Sequence, residues 1–248
     1  MIRIKSASEI ESMRGSARLV SRTLDELAGH VEQGISTLEL DRLAMEFIRK
    51  NGGTPSFLGY RGYRHTICAS VNEEVVHGIP GKRILKTGDI ISIDVGVLMN
   101  GFHGDSARTF TVGAVTPEAE NLLKVTRESL GKGIEQVKAG HRLGDVSAAI
   151  QAHVESRGLS IVRSLVGHGI GRDLHEEPQI PNYGQPGSGV MLKSGMVFAI
   201  EPMVNAGGFE VETLKDGWTV VSSDRSLAAH FEHTVAVTEN GPDILSLS

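Results

Sequence analysis

The 248-residue sequence contains one cysteine, Cys68, and few aromatic residues, which make up 4% of the chain. A single cysteine excludes an internal disulfide framework and a cysteine-rich zinc site. No apolar run is long enough to span a membrane, and the charges scattered through the N-terminal segment argue against a secretory signal. The net charge of −5 gives no reason to expect nucleic acid or a membrane as the main partner. We therefore expect a cytoplasmic protein.

An internal repeat is the most informative pattern in the chain. Lys86–Val97 and Lys193–Val204 both begin Lys-x-Gly and continue as an apolar, strand-like run that ends in isoleucine and a carboxylate. The two carboxylates, Asp94 and Glu201, are 107 residues apart. Packing of two similar halves about a pseudo-two-fold axis would bring these two acids to equivalent places.

Helical patterns precede each copy of this motif. Glycines bracket one such pattern at 34–52 and another at 140–158, an offset of 106 residues. Longer amphipathic stretches lie before them, at 8–32 and 117–138, and Thr116 is the expected N-cap of the second. The sequence predicts an α+β fold in a single catalytic domain, 1–248. Its two pseudo-symmetric halves, approximately 1–113 and 114–248, would each contain two helices and antiparallel strands around a central curved sheet.

The first pair of acids is predicted to lie on one hairpin. Asn100-Gly101 between two strand-like runs is a strong signal for a two-residue turn. That turn places Asp94 opposite Ala107, and it places Asp105 two residues from this partner, on the same face. Taken alone, an aspartate in a strand is more often a solvated residue than a metal ligand. Two like charges on a buried face are costly unless a cation neutralises them, which favours a metal site.

The second half supplies a similar pair, Glu201 and Glu232, and a glycine-rich segment, 167–178, that contains two histidines. His168 and His175 are too far apart for the helical HExxH zinc pair, so we expect one to bind metal and the other to contact substrate. A structural role remains the alternative for any single histidine. His77, which follows an apolar pair and precedes a turn, is balanced between these two interpretations.

Four carboxylates and one imidazole form a hard, oxygen-rich ligand set. Such a set favours a pair of Mn, Fe(II), Co or Zn ions over a structural zinc. A metal pair lowers the pKa of a water and polarises a carbonyl. The sequence therefore predicts metal-assisted hydrolysis, most plausibly of an amide, with Glu201 accepting and returning the proton.

These segments together closely resemble the type I methionine aminopeptidases, which share the pita-bread fold with creatinase and prolidase. The matching stretches follow the family's order and spacing over most of the chain: Tyr60–Tyr63, Ile67-Cys68, Val76–Pro80, Asp89–Asp94, Gly101–Asp105, Gly167–Pro178, Ile200–Asn205, Lys215–Trp218 and Glu232–Thr234. The chain lacks the large helical insertion that marks the type II enzymes.

The resemblance implies removal of methionine from nascent chains whose second residue is small, near the ribosome, by an enzyme expected to be a monomer. It implies two divalent ions, with Asp105 and Glu232 bridging them, Asp94 on one ion, and His168 with Glu201 on the other. His77 and His175 would hold the scissile amide, and His175 would help to stabilise the oxyanion. The residues that resemble the wall of the methionine pocket are Tyr60, Tyr63, Cys68 and Trp218.

Two departures from the family pattern concern selectivity. Leu174 stands where bacterial relatives often have phenylalanine, and His230-Phe231 replaces a Gln-Tyr-like pair. We expect neither to touch a metal ligand, although His230 is placed to orient Glu232. The alternatives are an Xaa-Pro aminopeptidase of the same fold, a non-catalytic binding homologue, and a single-zinc hydrolase using both His168 and His175.

Overall fold

The computed structural model describes residues 1–247, which contain four α-helices in two consecutive pairs. The helices are α1 (Ala7–Ala28), α2 (Thr37–Lys50), α3 (Pro117–Ile134) and α4 (Leu143–Glu155). The hydroxyl of Thr116 accepts a hydrogen bond from the backbone N–H of Ala119, which confirms the predicted N-cap. The stretches 8–32 and 117–138 are helical only in part, because the chain turns after each helix towards a glycine at positive φ, Gly34 or Gly140.

The strands of the described residues form four antiparallel sheets. One large sheet contains β1 (Thr54–Pro55), β2 (Ile67–Val71), β4 (Ile90–Met99) and β5 (Phe102–Thr111). The other has the order β15-β14-β9-β7-β8 and consists of β7 (Val166–Gly169), β8 (Glu176–Pro181), β9 (Val197–Ile200), β14 (His233–Thr238) and β15 (Gly241–Ile244).

Two three-stranded sheets complete the strand inventory of this part of the chain. The first has the order β13-β10-β6 and is built from β6 (Ser160–Ile161), β10 (Met203–Asn205) and β13 (Ala228–His230). The second has the order β11-β12-β3 and is built from β3 (Glu74–Val76), β11 (Val211–Thr213) and β12 (Val220–Ser222).

Each helix pair covers its own hydrophobic core. In the first core, Leu24 of α1 and Ile48 of α2 pack with Ile93 of β4. In the second, Leu122 of α3 and Ile150 of α4 belong to one buried cluster that also contains residues of β9 and β14. The apolar faces of the helices thus cover one side of the strands and leave acidic residues of those strands free to face another direction.

The hairpin of β4 and β5 has the predicted register. Met99 pairs with Phe102 across Asn100-Gly101, and both turn residues have positive φ, as a two-residue turn of this kind requires. The prediction was correct because the turn type and the pairing are both determined by local sequence.

The two large sheets meet along β5 and β14. The backbone N–H of Asp105 donates to the Thr234 hydroxyl at 3.0 Å, and that hydroxyl donates to the Asp105 carbonyl at 2.7 Å. The N–H of Glu232 donates to the Ala107 carbonyl at 3.0 Å. These bonds place the acid of β5 beside the acid that precedes β14.

Among residues 1–247, no helix has both the length and the apolar character needed to cross a membrane.

Candidate metal centre

The acids of the first half occupy the positions that the hairpin register predicts. Asp94 in β4 pairs with Ala107, and Asp105 in β5 pairs with Gly96. Both side chains line the same cavity. Alternation along the strands therefore directs the two carboxylates to one face.

The second half brings its three predicted ligands to the same cavity. Glu201 directly follows β9, Glu232 directly precedes β14, and His168 lies in β7 beside β9. One ligand atom from each of Asp105, His168 and Glu232 can be chosen so that all three lie within 4.8 Å of one another. Side chains from both halves thus meet at one point.

The imidazole of His168 is oriented with one nitrogen towards the acids. Its Nε2 lies 3.6 Å from Oε1 of Glu201 and 3.9 Å from Oδ2 of Asp105. Its Nδ1 is 2.9 Å from the carbonyl of Gly169, and because a carbonyl only accepts, Nδ1 must donate. Burial lowers the pKa of His168 to about 4. The neutral ring therefore presents the lone pair of Nε2 to the carboxylates.

The carboxylates lack the counter-charges that would make their burial favourable. Burial raises the pKa of Asp94 to about 7, and burial together with the neighbouring acids raises the pKa values of Asp105, Glu201 and Glu232 well above their usual range. In the described part of the chain, three buried carboxylate oxygens have no hydrogen-bond partner: Asp94 Oδ1, Asp105 Oδ1 and Glu232 Oε1. Divalent cations suit such a site, because they bind to free acceptor oxygens and neutralise the repelling charges.

Two further histidines lie beside this cluster. The ring of His175 is 4.1 Å from that of His168, centroid to centroid, and stacks on Tyr60 at 5.2 Å with an interplanar angle of 18°. His77 meets the edge of Trp218 at 6.5 Å and has a φ of 60°, an uncommon conformation for a residue other than glycine. Burial lowers the pKa of His77. The structure thus brings both predicted substrate-contacting histidines to the cavity.

The predicted pocket residues form an apolar end of the same cavity, which has a volume of about 150 Å³. The Tyr63 and Trp218 rings meet edge to face, with centroids 5.0 Å apart, and the Tyr63 hydroxyl donates to the carbonyl of Ile67 at 2.9 Å. Cys68 lies in β2 opposite Asp94, and burial raises the pKa of its thiol, which stays protonated. A cavity of about 150 Å³ holds a ligand as large as benzene, which is also the scale of one long apolar side chain.

Three residues that line this cavity were not among the predicted site residues: Phe57, Arg61 and Leu174. Phe57 and Leu174 are close in sequence to the predicted site residues Tyr60 and His175. This proximity could have identified them as further cavity residues. Leu174 is 2% exposed. Its position agrees with the expectation that a change at this residue affects side-chain selectivity.

The position of His230 differs from the sequence prediction. It was expected to orient Glu232 and to stay away from other ligands, but its Nε2 lies 3.8 Å from Oε2 of Glu201. β13 ends at His230 and β14 begins at His233, so strand alternation does not run through the residues between them. The side chain is therefore free to face the other acid. Its ring is buried, which lowers its pKa to about 3.

Comparison with known proteins supports this assembly. The model of metallopeptidase family M24 matches residues 11–239. Methionine aminopeptidase 1 of Bacillus subtilis (strain 168) is 57% identical over 246 residues, which cover 99% of each chain. Methionine aminopeptidase of Clostridium perfringens is 54% identical over 247 residues, covering 100% of this chain and 99% of the relative.

Solved structures agree with the sequence relatives. The crystal structure of methionine aminopeptidase from Thermotoga maritima has a TM-score of 0.98 and 49% identity, with both chains fully covered. Prolidase from Pyrococcus furiosus has a TM-score of 0.81 at 22% identity, with 99% of this chain and 65% of the prolidase covered. The second likeness concerns the fold alone, and it agrees with the predicted pita-bread architecture.

The family match, the full-length relatives and the convergence of acids and histidines agree, and they disfavour both the Xaa-Pro peptidase and the non-catalytic alternative. The chain therefore belongs to metallopeptidase family M24 and, within it, to the methionine aminopeptidases, metal-dependent hydrolases that remove an N-terminal methionine.

Proposed function

We propose that the centre holds two divalent ions through Asp94, Asp105, His168, Glu201 and Glu232, with Asp105 and Glu232 shared by both ions. The observation that carries this proposal is the set of buried, unpartnered carboxylate oxygens around one cavity. Neutralising four neighbouring carboxylates takes more positive charge than a single divalent ion brings. The oxygen-rich ligand set suits Co, Mn, Fe(II) or Zn, and supply in the cell selects among them.

The chemistry that such ions supply is acidification of a water and polarisation of the scissile carbonyl. Glu201 accepts the proton of the attacking water and delivers it to the amine of the leaving peptide. Burial disfavours the protonated form of His230, beside Glu201, so this ring does not compete for that proton. Glu201 is thus both a ligand and the general acid–base of the reaction.

The two histidines beside the centre position the scissile amide. The pKa of His175 is lowered by desolvation and by the neighbouring His168, so its ring is neutral and donates one N–H to the carbonyl oxygen as negative charge develops. Stacking on Tyr60 fixes the plane of this ring. His77 holds the other side of the amide, and the conformation at its φ of 60° points the side chain into the cavity.

The apolar end of the cavity receives the methionine side chain. Tyr60, Tyr63 and Trp218 supply aromatic surfaces, and the Cys68 sulfur provides a polarisable contact, both of which suit a thioether. The substrate's second residue then lies towards the open side, beside the histidines, where a small side chain is accommodated.

In the cell, the substrates of this proposal are nascent polypeptide N-termini in the cytoplasm, reached near the ribosome by a monomeric enzyme. The relatives named as methionine aminopeptidases support this assignment.

Metal analysis together with a tripeptide assay tests the proposal. We expect chelation to abolish hydrolysis of Met-Ala-Ser, titration with Co or Mn to restore it, and saturation to occur at two ions per chain. Full activity with a single bound ion would contradict the two-ion centre. Faster cleavage of an Xaa-Pro peptide than of Met-Ala-Ser would contradict the proposed pocket.

A further inference from the structure

A buried ion pair links the N-terminal segment to the loop that carries His175. Nζ of Lys5 lies 2.7 Å from Oε2 of Glu176, and the two side chains are 5% and 4% exposed. Glu176 directly follows His175. Neither partner of this pair lines the cavity.

The Glu176 carboxylate organises the loop before it. Its Oε1 accepts hydrogen bonds from the backbone N–H groups of Arg172 at 3.0 Å and Asp173 at 3.4 Å. A side chain on Gly171 would collide with both partners of the pair, since its Cβ would lie 2.6 Å from Glu176 Oε1 and 2.7 Å from Lys5 Cε. The loop 171–175 is therefore folded directly around the ion pair.

The other end of the link has anchors beyond this loop, in addition to the ion pair that Arg172 of the loop forms with Glu9 of α1 at 3.1 Å. The backbone N–H of Lys5 donates to the carbonyl of Gly195 at 2.8 Å. Ser6, the next residue, is the N-cap of α1, in a capping box with Glu9. Lys5 is thus held by the end of a long helix and by the turn before β9, and its ammonium group has a defined position.

The buried carboxylate depends on Lys5 for its counter-charge. Arg3 also approaches Glu176 Oε1, at 3.2 Å, but its side chain is 54% exposed and it pairs with Asp173 as well. Loss of Lys5 would leave Glu176 buried with a partly hydrated cation as its remaining charged partner, which is strongly destabilising unless the local backbone shifts to hydrate the carboxylate. The backbone that would move is that of residues 171–176, which places the His175 ring between Tyr60 and His168.

We propose that Lys5 is a positioning residue for His175, acting through the Glu176 carboxylate. This inference rests on the proposed function, in which His175 contacts the scissile amide. The N-terminal segment then has a role in the reaction although it does not line the cavity.

The test compares Lys5→Met, which keeps the aliphatic stem and removes the charge, with Lys124→Met on the exposed face of α3. We expect Lys5→Met to lower kcat for Met-Ala-Ser by about tenfold to a hundredfold, the loss that follows from a displacement of about 1 Å, with a much smaller change in KM. Lys124→Met is expected to match the wild type. Metal content and the melting temperature are measured for each variant.

The same substitution in a His175→Ala background distinguishes positioning from general destabilisation. If Lys5 acts through His175, Lys5→Met causes no further loss of kcat in that background. An equal loss in both backgrounds would overturn the proposal while leaving the proposed function intact. A His175→Ala variant with normal kcat would instead refute the proposed role of His175.

Two further measurements cover the case in which Lys5→Met folds poorly. Lys5→Met combined with Glu176→Gln removes both charges, and we expect kcat within about threefold of the wild type, because no unpaired charge stays buried. In the metal-free protein, the imidazole NMR signal of His175, assigned by its loss in His175→Ala, should move in Lys5→Met and stay unchanged in Lys124→Met. An unmoved signal, or a double variant no better than Lys5→Met, would overturn the proposal.

Discussion

The two large sheets contain strands in matching order, yet they supply different side chains to the proposed metal centre. In the first half β5, β4 and β2 lie side by side, and in the second half β14, β9 and β7 do. Asp94 lies in β4 and Glu201 follows β9, while Asp105 lies in β5 and Glu232 precedes β14. The matching order supports the proposal of two duplicated halves, 1–113 and 114–248, of which Ser248 lies outside the described residues.

One strand position accounts for the asymmetry between the halves. Ser70 lies opposite the residue two positions before Asp94, and His168 lies opposite the residue two positions before Glu201. Ser70 accepts a hydrogen bond from the N–H of Gly78 at 3.0 Å and serves the backbone. His168 faces the acids instead. Two similar frameworks thus contribute unequal side chains to the cavity, because of a single position on the third strand.

A second difference concerns how each pair of acids reaches the centre. Asp105 pairs with Gly96, two residues beyond Asp94. Glu201 and Glu232 instead lie just beyond the last pair of the β9–β14 ladder, which joins Ile200 and His233. The two aspartates have shorter side chains and are staggered along a hairpin, whereas the two glutamates have longer side chains and lie at the end of a ladder. Both pairs nevertheless reach the same centre.

The strongest test of this comparison changes the acid of β5 and the acid before β14 separately. If Asp105 and Glu232 both serve two ions, Asp105→Asn and Glu232→Gln each lower kcat by more than about a thousandfold, because several kcal/mol of charge stabilisation is lost. The measurements are Met-Ala-Ser hydrolysis and metal content, with Glu120→Gln on the exposed face of α3 as the control. Near-normal turnover in either variant, with metal supplied, would rule out the shared assignment.

A smaller effect is expected from the position at which the halves differ. His168→Ala should release metal from the Glu201 side, whereas Ser70→Ala should keep both ions. His175→Ala should retain metal and lower kcat by about a hundredfold to a thousandfold, as loss of an oxyanion donor does. Metal analysis of the three variants, beside their kcat values, measures this difference. Equal metal loss from the two histidine variants would instead support a centre with a single zinc ion held by both.

The features that were predictable from sequence depend on short-range signals. The Asn100-Gly101 turn determines the register that aligns Asp94 with Asp105. Thr116 marks the start of α3 because its hydroxyl accepts a hydrogen bond from the backbone N–H three residues later. The repeat and the family resemblance predicted that candidate ligands from distant segments lie together. Neither depended on knowing the packing of the helices.

The features that were missed depend on tertiary packing. His230 turns towards Glu201 because the strand breaks after it, and no periodic pattern marks that break. The pair of Lys5 and Glu176 joins residues 171 positions apart, where the sequence shows only ordinary charged residues. Leu174 departs from the family pattern in the sequence, but its place in the cavity wall is evident only from the fold. In each case the neighbour across space, rather than the neighbour in sequence, decides the role.

The smallest expected effect concerns the apolar end of the cavity, to which the first half contributes Phe57, Tyr60, Tyr63 and Cys68. Leu174 and Trp218 are the contribution of the second half. Leu174→Phe narrows this space and should disfavour a branched side chain more than a linear one. We expect the preference for Met-Ala-Ser over Leu-Ala-Ser, as a ratio of kcat/KM, to rise about tenfold.

Leu58→Phe is the matched control for this substitution, because Leu58 is 37% exposed and does not line the cavity. It adds the same bulk next to Phe57 and should leave the ratio unchanged. An unchanged ratio in Leu174→Phe would mean that the second half does not shape side-chain selectivity. The pocket would then belong mainly to the first half, and the second half would contribute three of the five proposed metal ligands.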